Sequence, residues 1–369
     1  MRPLFLRATG LLAALLALAG CESINDYNAD KFDRIDLASP YRRTTLPYLP
    51  NRVGGALIPT ADGRALLVGG IVTSLGPGQT LAPNLTELYD PAKDTWTTIA
   101  PMSRYRTSPA GAAVPDGRVL VVGDDTYSVN VQRQGAEIYN PSTNTWTNFG
   151  SPSGAAFEQS TAVALPPPGN RVLVGSSIGL VVFDLDVGTA YSVGGLAAAR
   201  GLGLCVMKDG NVFATYNREW EVYSPSLRRI IHTGTLRYPR YFAGAATNTT
   251  NGRVYICGGG NTPYITGNQA PIRGMEVYDP DSARLLRRRL PTDIESATGY
   301  ASRGCFTAAG RLLFTGTGGQ DALLDLDRGK PIPYTFSGAG PQGPAPTQLS
   351  DGRLLFVGSI TDLSKYPRP

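Results

Sequence analysis

A short pattern of polar and apolar positions recurs along the chain. Asp-Gly or Asn-Gly is followed by alternating large apolar residues and then by glycine, as in DGRALLVGG (62–70), DGRVLVVGD (116–124), NGRVYICGGG (251–260) and DGRLLFVGS (351–359). Asp-Gly and Asn-Gly supply the positive φ angles of a tight turn, and the alternation after the turn predicts a half-buried strand. Each copy is therefore predicted to form part of a β-hairpin.

Three further strands are predicted around each copy. Small and apolar residues precede it, as in VGGALIPTA, PAGAAVP and FAGAATNTT. A first strand after it carries ELYDP (87–91), EIYNP (137–141), EVYSP (221–225) or EVYDP (276–280). A second strand carries DTWTTI (94–99) or NTWTNF (144–149). Each period thus predicts four antiparallel strands.

The turn glycines define the spacing of the repeats. Strong and weak copies together give seven turns, at Gly63, Gly117, Gly169, Gly210, Gly252, Gly310 and Gly352. Successive turns lie 41 to 58 residues apart. Four strands in a period of this length are typical of a propeller rather than a solenoid.

One repeat carries a family resemblance. Arg240 followed by YFAGAATNTTNGRVYICGGG and EVYDP resembles a kelch repeat, with its arginine, double glycine and Tyr-Asp-Pro. Trp96 and Trp146 add the tryptophans of that pattern, and the resemblance covers most of residues 45–359. It implies an all-β fold, a seven-bladed kelch-type β-propeller of the galactose-oxidase-like superfamily with four-stranded antiparallel blades.

We also expect the two chain ends to share a blade. The last copy predicts only two inner strands, so we expect the N-terminal stretch before residue 50 to supply two outer strands and close the ring as a split blade. Six blades with an irregular N-terminal cap is the alternative.

The first 20 residues are predicted to be a removed signal peptide. Arg2 and Arg7 precede an apolar stretch, Leu11 to Ala19, that is shorter than the roughly 20 residues of a spanning helix. LAGC (18–21) resembles the bacterial lipoprotein signal, which implies cleavage before Cys21 and fatty acylation, for example with palmitate. An ordinary secretory leader is the alternative.

This resemblance sets the expected domains and location. Residues 21–30 are predicted to be a linker, and residues 31–369 a single propeller domain. Several acyl chains, at about 0.8 kcal/mol per buried methylene, make a stable membrane anchor. Glu22 follows the cysteine, which in Gram-negative lipoproteins implies sorting to the outer membrane.

Composition agrees with strands and turns and excludes one class of partner. Glycine and proline number 44 and 29, and 17% of residues are charged. The net charge is +5, and removing Arg2 and Arg7 leaves +3. This charge is too small to indicate a nucleic-acid partner, and no basic–aromatic interleaving supports one.

The remaining cysteines are predicted to be structural. Cys205, Cys257 and Cys305 sit in apolar, strand-like runs without the close pairing of a zinc site, so no metal is expected. Buried thiols are the prediction, and one disulfide is the alternative in an oxidising compartment.

The residue types of the chain exclude one known enzyme class on this scaffold and leave another open. The copper radical oxidases of the superfamily use two histidine ligands, whereas this chain has one histidine, His232, so that chemistry is excluded. The Asp-box turns of sialidases are missing from the sequence. A periplasmic enzyme acting on acidic sugars, resembling sialic-acid mutarotase or a lyase, stays open because it needs only a positioned acid and base.

Arginine at one recurring position is the strongest candidate chemistry. The kelch pattern places an arginine before each innermost strand. We expect these side chains to form an anion-binding mouth of the central channel, made by Arg52, Arg106, Arg200, Arg240 and Arg303. The alternative is that each arginine pairs with a carboxylate or carbonyl of a neighbouring blade.

The residues together favour a binding role. A well-specified scaffold without a convincing nucleophile, metal cluster or acid–base pair predicts a non-catalytic module that needs no cofactor. We expect a lipid-anchored cell-envelope protein, in the outer membrane and facing the periplasm or the surface, that scaffolds an envelope protein or binds an anionic polysaccharide.

Overall fold

The computed structural model divides the chain into two units, and every described residue lies in the second. That unit extends from Pro40 to Pro369. The described residues are 41–47, 52–72, 84–123, 135–150, 152, 155, 157, 160–196, 201–261, 274–288, 302–308, 310–316, 322–327, 330–332, 346–357 and 359–361. The predicted leader and linker, residues 1–30, lie outside them.

The described residues form antiparallel strands and no helix. The first strands are β1 (Tyr41–Arg43), β2 (Arg52–Val53), β3 (Ala56–Pro59), β4 (Ala65–Val68), β5 (Ile71–Val72), β6 (Thr86–Asp90), β7 (Thr95–Ile99), β8 (Ala110–Ala113), β9 (Val119–Val122), β10 (Ala136–Asn140) and β11 (Thr145–Phe149). They are followed by β12 (Ala162–Ala164), β13 (Arg171–Ser176), β14 (Gly179–Asp184), β15 (Thr189–Gly194), β16 (Gly203–Val206), β17 (Val212–Ser224) and β18 (Arg229–Arg240). The last are β19 (Gly244–Thr247), β20 (Val254–Cys257), β21 (Met275–Asp279), β22 (Arg284–Arg288), β23 (Ser302–Ala308), β24 (Arg311–Gly316), β25 (Ala322–Asp325), β26 (Lys330–Pro331), β27 (Thr347–Gln348), β28 (Leu354–Phe356) and β29 (Ser359–Thr361).

These strands make a series of similar meanders, numbered here as sheets 1 to 7. Sheets 1, 2 and 3 have the orders β3-β4-β6-β7, β8-β9-β10-β11 and β12-β13-β14-β15. Sheets 4, 5 and 6 have the orders β16-β17-β18, β19-β20-β21-β22 and β23-β24-β25-β26. Sheet 7 has the order β27-β28-β29-β1, and β2 with β5 forms a separate two-stranded ribbon. The repeated four-strand unit predicted from the sequence is confirmed in six of these seven sheets.

A glycine with positive φ stands in the turn between the first two strands of every sheet. All seven glycines named for it, from Gly63 to Gly352, have φ between +71° and +91°. Only glycine adopts such angles without steric cost, so the Asp-Gly and Asn-Gly signal was read correctly. In sheet 1 the Asp62 carboxylate also accepts from the Arg64 backbone N–H and side chain, at 3.3 and 2.8 Å.

Sheet 4 folds its long second strand back on itself. Phe213 and Trp220 lie seven residues apart, about 23 Å in an extended strand, yet their rings stack at 5.8 Å. Asn217 has φ +55°, and Thr215 Oγ1 donates to the Glu219 carbonyl oxygen at 3.1 Å. A tight turn at Asn217 therefore supplies the usual four-strand path. Because this turn is so short, no glycine pair is needed where Tyr216 stands.

Sheet 7 joins the two chain ends, with a different division from the one predicted. Three of its strands, β27, β28 and β29, come from the C-terminal end, and only β1 comes from the N-terminal end. Tyr41 pairs with Thr361, and Arg43 pairs with Ser359. The prediction of two strands from each end was therefore wrong. The chain reverses immediately after Phe356, and three residues, Ser-Ile-Thr, are too few to give a strand signal.

Successive sheets share apolar cores because one face of each is packed on the next. Sheets 1 and 2 meet through Leu66, Val68, Val119, Val121 and Tyr139. Sheets 2 and 3, 3 and 4, 4 and 5, and 5 and 6 share further clusters of the same kind. Sheets 7 and 1 meet through Leu349, Leu355, Val357, Leu57, Leu67 and Tyr89. The first strands of neighbouring sheets also contact one another, which places them on the inside of the arrangement.

Two of the cysteines lie in these cores. Cys205 is 9% exposed and Cys257 is fully buried. Their burial agrees with the prediction for these thiols. The side chain of Cys305, in β23, lies outside the described residues.

Candidate functional site

Each meander has two unlike ends, and the predicted arginines lie at one of them. The turn end carries the Asp-Gly turns and the turns between third and fourth strands. The loop end carries the connections from second to third strands and the segments that lead to the next sheet. Arg52, Arg106 and Arg240 stand in or beside the segments that enter sheets 1, 2 and 5.

The side chains of these three arginines are buried, each at most 1% exposed. Arg240 donates through Nη1 to the Gly258 carbonyl at 2.8 Å and through Nη2 to the Gly274 carbonyl at 2.9 Å. Gly258 directly follows the second strand of sheet 5, and Gly274 directly precedes the third. Arg240 therefore joins the two ends of the connection between those strands.

Sheets 2 and 1 repeat this arrangement. Arg106 Nη1 donates to the carbonyl oxygens of Gly123 and Gly135, at 2.5 and 2.9 Å. Arg52 Nη1 donates to the Leu85 carbonyl at 3.0 Å. The residues Gly274, Gly135 and Leu85 share one position in their sheets. Each lies two positions before the glutamate of the third strand.

That glutamate is the charged partner of the arginine. Arg240 Nε lies 3.2 Å from Glu276 Oε1, Arg106 Nη2 lies 3.9 Å from Glu137 Oε1, and Arg52 forms a close ion pair with Glu87. These glutamates are buried, at 6%, 1% and 1% exposure. Burial lowers the pKa of Arg52, and the charge of Glu87 opposes that shift. Each pair is an internal clamp rather than a solvent-facing group.

The glutamates also bind the segment that enters the sheet. Glu276 accepts from the Arg237 backbone N–H at 2.9 Å, and Glu137 accepts from the Ser103 backbone N–H at 3.2 Å. In sheet 4, Glu221 accepts from the Leu196 N–H at 2.8 Å. Burial raises the pKa of Glu221, this hydrogen bond opposes the rise, and the charge of Glu219 adds to it.

The anion-binding prediction is therefore corrected for Arg52, Arg106 and Arg240. Their guanidiniums are enclosed by carbonyls and a carboxylate of the same sheet, so they present no face to a ligand. This is the pairing alternative, with the partner in the same blade rather than a neighbouring one. Arg200 and the side chain of Arg303 lie outside the described residues.

The glutamate partner was missed, although the sequence contains its signal. ELYDP, EIYNP, EVYSP and EVYDP all begin with glutamate, and all four belong to sheets whose first strand follows an arginine. Sheet 3 has Val181 at the matching register position, opposite Val174, and has no arginine before its first strand. The arginine and glutamate occur or are missing together in these five sheets.

The innermost strands are lined by small, largely uncharged residues. Among the described inner strands, Gly111, Ala113, Ala162, Ala164, Gly244 and Ala245 are partly exposed. The described side chains of β3, β8, β12, β16, β19 and β27 include no charged residue. This part of the inner surface therefore offers no acid–base pair.

Large exposed apolar side chains occur at both ends of the sheets. Tyr105 (52% exposed), Tyr238 (39%) and Ile178 (38%) are at the loop end. Val187 (70%) and Leu227 (57%) are in turn-end turns. Both tyrosines follow an arginine, in the sequences SRYR (103–106) and RYPR (237–240). The connections 73–83, 124–134 and 262–273 lie outside the described residues.

The residues do not fit a copper site. His232 is the one histidine of the chain, and it is exposed on β18, the outermost strand of sheet 4. Among the described residues, no three His, Cys, Asp or Glu side chains are grouped to hold a metal ion. The described residues likewise include no helix with the length and apolarity to cross a membrane.

Comparison with known proteins gives partial matches. No protein-family model matches the chain. It is 38% identical over 74 residues to human Kelch-like protein 23, covering 20% of this chain and 12% of that protein. It is 29% identical over 234 residues to Kelch-like protein terF of Aspergillus terreus, covering 58% and 42%. It is 36% identical over 64 residues to galactose oxidase of Gibberella zeae, covering 17% and 9%. The chain spans less than half the length of each.

A solved structure supports the same architecture. A fungal alcohol oxidase of the AA5 family, solved in complex with copper, aligns with a TM-score of 0.51 and 18% sequence identity. The alignment covers 72% of this chain and 58% of that one. At this identity the likeness concerns the fold alone. Together with the repeated antiparallel sheets, these similarities support a kelch/galactose-oxidase-like β-propeller.

Proposed function

We propose that this chain is a non-catalytic binding module of the bacterial cell envelope, lipid-anchored through Cys21. The observation that carries the proposal is the burial of charged groups at the loop end of the sheets. The guanidiniums of Arg52, Arg106 and Arg240 are buried in clamps, whereas Tyr105 and Tyr238, close to two of these arginines in the sequence, are exposed. The end of the sheets is thus rigid and presents a surface for contact rather than reactive groups.

The proposed scaffold is a closed ring of seven blades with sheet 7 as the split blade. Shared cores linking sheet 7 to sheet 1, and each sheet through to sheet 6, support this arrangement. A contact between sheets 6 and 7 would complete the ring. Small-angle scattering of the unacylated protein tests it: a compact ring of this size has a radius of gyration of about 20 Å. An open arc would give a clearly larger value.

The clamps have a direct bearing on binding. Each joins the start and end of a second-to-third strand connection, so the connection leaves the sheet from two fixed points. A partner that contacts such connections meets a surface whose base is already ordered, which lowers the entropy cost of binding. The proposed partner is an envelope protein or an anionic polysaccharide.

Site-specific photo-crosslinking in the native envelope tests which end binds. A photoreactive phenylalanine analogue would replace Tyr105 or Tyr238 at the loop end, with Val187 and Leu227 at the turn end as controls. All four positions are exposed, so the substitutions are expected to leave the fold intact. We expect crosslinked adducts from the loop-end positions only. Adducts from the turn end alone, or from no position, would overturn the proposal.

A further inference from the structure

Two tyrosine rings meet at the loop end between sheets 4 and 5, and a phenylalanine follows the second of them in the chain. Tyr216, just before the turn of β17, and Tyr241, just after β18, have ring centroids 5.3 Å apart at an interplanar angle of 84°. Phe242 follows directly. All three side chains are partly exposed. Tyr216, Tyr241 and Phe242 are called the aromatic platform below.

The platform is held by the hairpin turn of sheet 4. Asn217 pairs with Arg240, and Arg218 Nη2 donates to the Arg237 carbonyl oxygen at 2.8 Å. Tyr241 in turn pairs with Gly260 through two hydrogen bonds of 2.9 Å. The rings are therefore fixed by backbone pairing on both sides, so the surface is preorganised.

Phe242 occupies a backbone conformation that suits glycine. Its φ is +60°, and the matching position of sheet 1, two residues after the clamp arginine, is Gly54 with φ +73°. A left-handed conformation costs a bulky residue roughly 1–2 kcal/mol. The turn could be made with glycine, as sheet 1 makes it. The strained phenylalanine therefore marks a place where an aromatic ring has a use.

The neighbouring blade makes room for that ring. A Cβ atom on Gly201 would lie 2.4 Å from Phe242 Cδ1, so the ring packs directly on this glycine. The Phe242 backbone N–H also donates to the Gly201 carbonyl at 3.2 Å. Two unusual features, a left-handed phenylalanine and a glycine beneath its ring, thus hold the same ring in place.

Two exposed arginines close to the platform residues in the sequence favour an acidic ligand. Arg218 and Arg237 are exposed, and the Arg237 guanidinium lies 5.1 Å above the ring of Tyr238. Glu219 is the exposed carboxylate on the same hairpin turn. Guanidinium groups recognise carboxylates well because their paired N–H groups match the two oxygens.

We propose that the aromatic platform binds a sugar ring of an acidic polysaccharide, with Arg218 and Arg237 contacting its carboxylates. This inference rests on the proposed binding function and names the ligand class. The apolar face of a pyranose ring suits an aromatic face, and its hydroxyl groups can bond tyrosine hydroxyls. Rings at 84° present one face and one edge. They do not form the parallel walls of a groove for a proline-rich peptide.

Binding of a uronic-acid hexamer tests the proposal. The full chain would be titrated with hexagalacturonate by calorimetry, with maltohexaose as the neutral hexamer. We expect hexagalacturonate to bind at least tenfold more tightly. Phe242→Gly removes the ring and keeps a residue suited to the left-handed backbone, so it is expected to weaken hexagalacturonate binding at least tenfold.

The control lies in the same sheet at the opposite end. Leu227→Ala, in the exposed turn between β17 and β18, is expected to bind like the wild type. Arg218→Gln is expected to weaken the acidic hexamer and reduce the salt dependence of its binding, without affecting maltohexaose. This variant removes an exposed side chain, so it gives a second reading if Phe242→Gly proves unstable.

The outcomes separate this inference from the proposed function. Equal binding by wild type and Phe242→Gly would overturn the platform, and so would failure of the wild type to bind hexagalacturonate. Loop-end crosslinks to a protein with no binding of either hexamer would overturn the ligand class and leave the binding function standing. Absence of loop-end crosslinks in the native envelope, together with no binding of either hexamer, would overturn both.

Discussion

Trp96 and Thr45 are joined across two sheets by a hydrogen bond from the indole Nε1–H to the Thr45 carbonyl, at 3.0 Å. Trp146 makes the same bond to the Ala100 carbonyl at 2.8 Å. Ala100 directly follows β7, the outermost strand of sheet 1, and Thr45 lies two residues after β1. The segment after β1 is therefore hydrogen-bonded to sheet 1 in the same way that the segment after β7 is hydrogen-bonded to sheet 2.

The residue that supports this junction is Asp94, at the turn between β6 and β7. Its carboxylate accepts from the Thr45 N–H at 3.1 Å and from the Tyr89 hydroxyl at 2.8 Å, and its φ is +53°. Asp94→Ala loses both bonds and disfavours the left-handed backbone. We expect it to lower the free energy of unfolding by about 2 kcal/mol in urea titrations.

Asp94→Asn is the matched variant, because sheet 2 already uses Asn144 at this position with φ +52°. Its amide oxygen accepts from the Tyr139 hydroxyl and the Ala100 N–H, each at 3.1 Å. We expect Asp94→Asn to stay within about 0.5 kcal/mol of the wild type. An equal loss in both variants would show that the junction bonds contribute nothing.

Breaking a clamp is expected to be costly. Glu276→Gln leaves the buried Arg240 guanidinium without its counter-charge, and such losses are about 3–5 kcal/mol. The exposed pair of Asp62 and Arg64 is the comparison, because exposed ion pairs contribute about 0–1 kcal/mol. Urea unfolding of Glu276→Gln and Asp62→Asn measures both. Similar small effects in the two variants would contradict the structural role of the clamp.

The raised pKa of Glu221 predicts a pH dependence of stability. The folded protein binds this proton more tightly than the unfolded chain, whose glutamates titrate near a pKa of about 4.3. The contribution is complete below that value and is lost as the pH rises through the folded-state pKa. Glu221→Gln keeps an acceptor for the Leu196 N–H and has no proton to lose.

As the pH rises from 4 to 7, the wild type should lose this contribution and Glu221→Gln should not. The free energy of unfolding of the variant should therefore rise relative to that of the wild type. Unfolding free energies of both proteins at the two values give the measurement. A difference between them that stays constant with pH would show that Glu221 does not titrate with a raised pKa.

The lipid anchor is tested at one sulfur atom. Cys21→Ser removes the thiol that the proposed acylation requires. We expect the wild type to incorporate radiolabelled palmitate and to sediment with membranes, and the variant to do neither. An unlabelled wild type, or a variant that still sediments, would favour the ordinary secretory leader.

Local repetition made much of the fold predictable. The turn glycines, the apolar alternation after them and the tryptophan turns each follow from a few adjacent residues, and the structure places them as expected. The turn of β17 at Asn217 was harder, because NRE carries neither glycine nor proline. The strand β29 was missed because its three residues acquire their pairing only from β28 and β1, which is a tertiary effect.

The candidate site was less predictable because its chemistry depends on long-range partners. The arginine position was visible, but whether the guanidinium faces water or Glu276 is decided by a strand 36 residues later. The strained φ of Phe242 also has no local signal, since RYFAG differs little from other strand entries. Pairing the arginine with the repeated glutamate would have needed a comparison of repeats, sheet by sheet.

The short strand β1 has a mechanical consequence for a tethered protein. If the chain is held at residue 21, any pull on the body reaches it through residues 41–43, whose partner strand is β29. Tension would therefore act on this three-residue ladder before the rest of the body. The hydrogen bonds of Thr45 with Trp96 and Asp94 lie just beyond that ladder and would bear the force next.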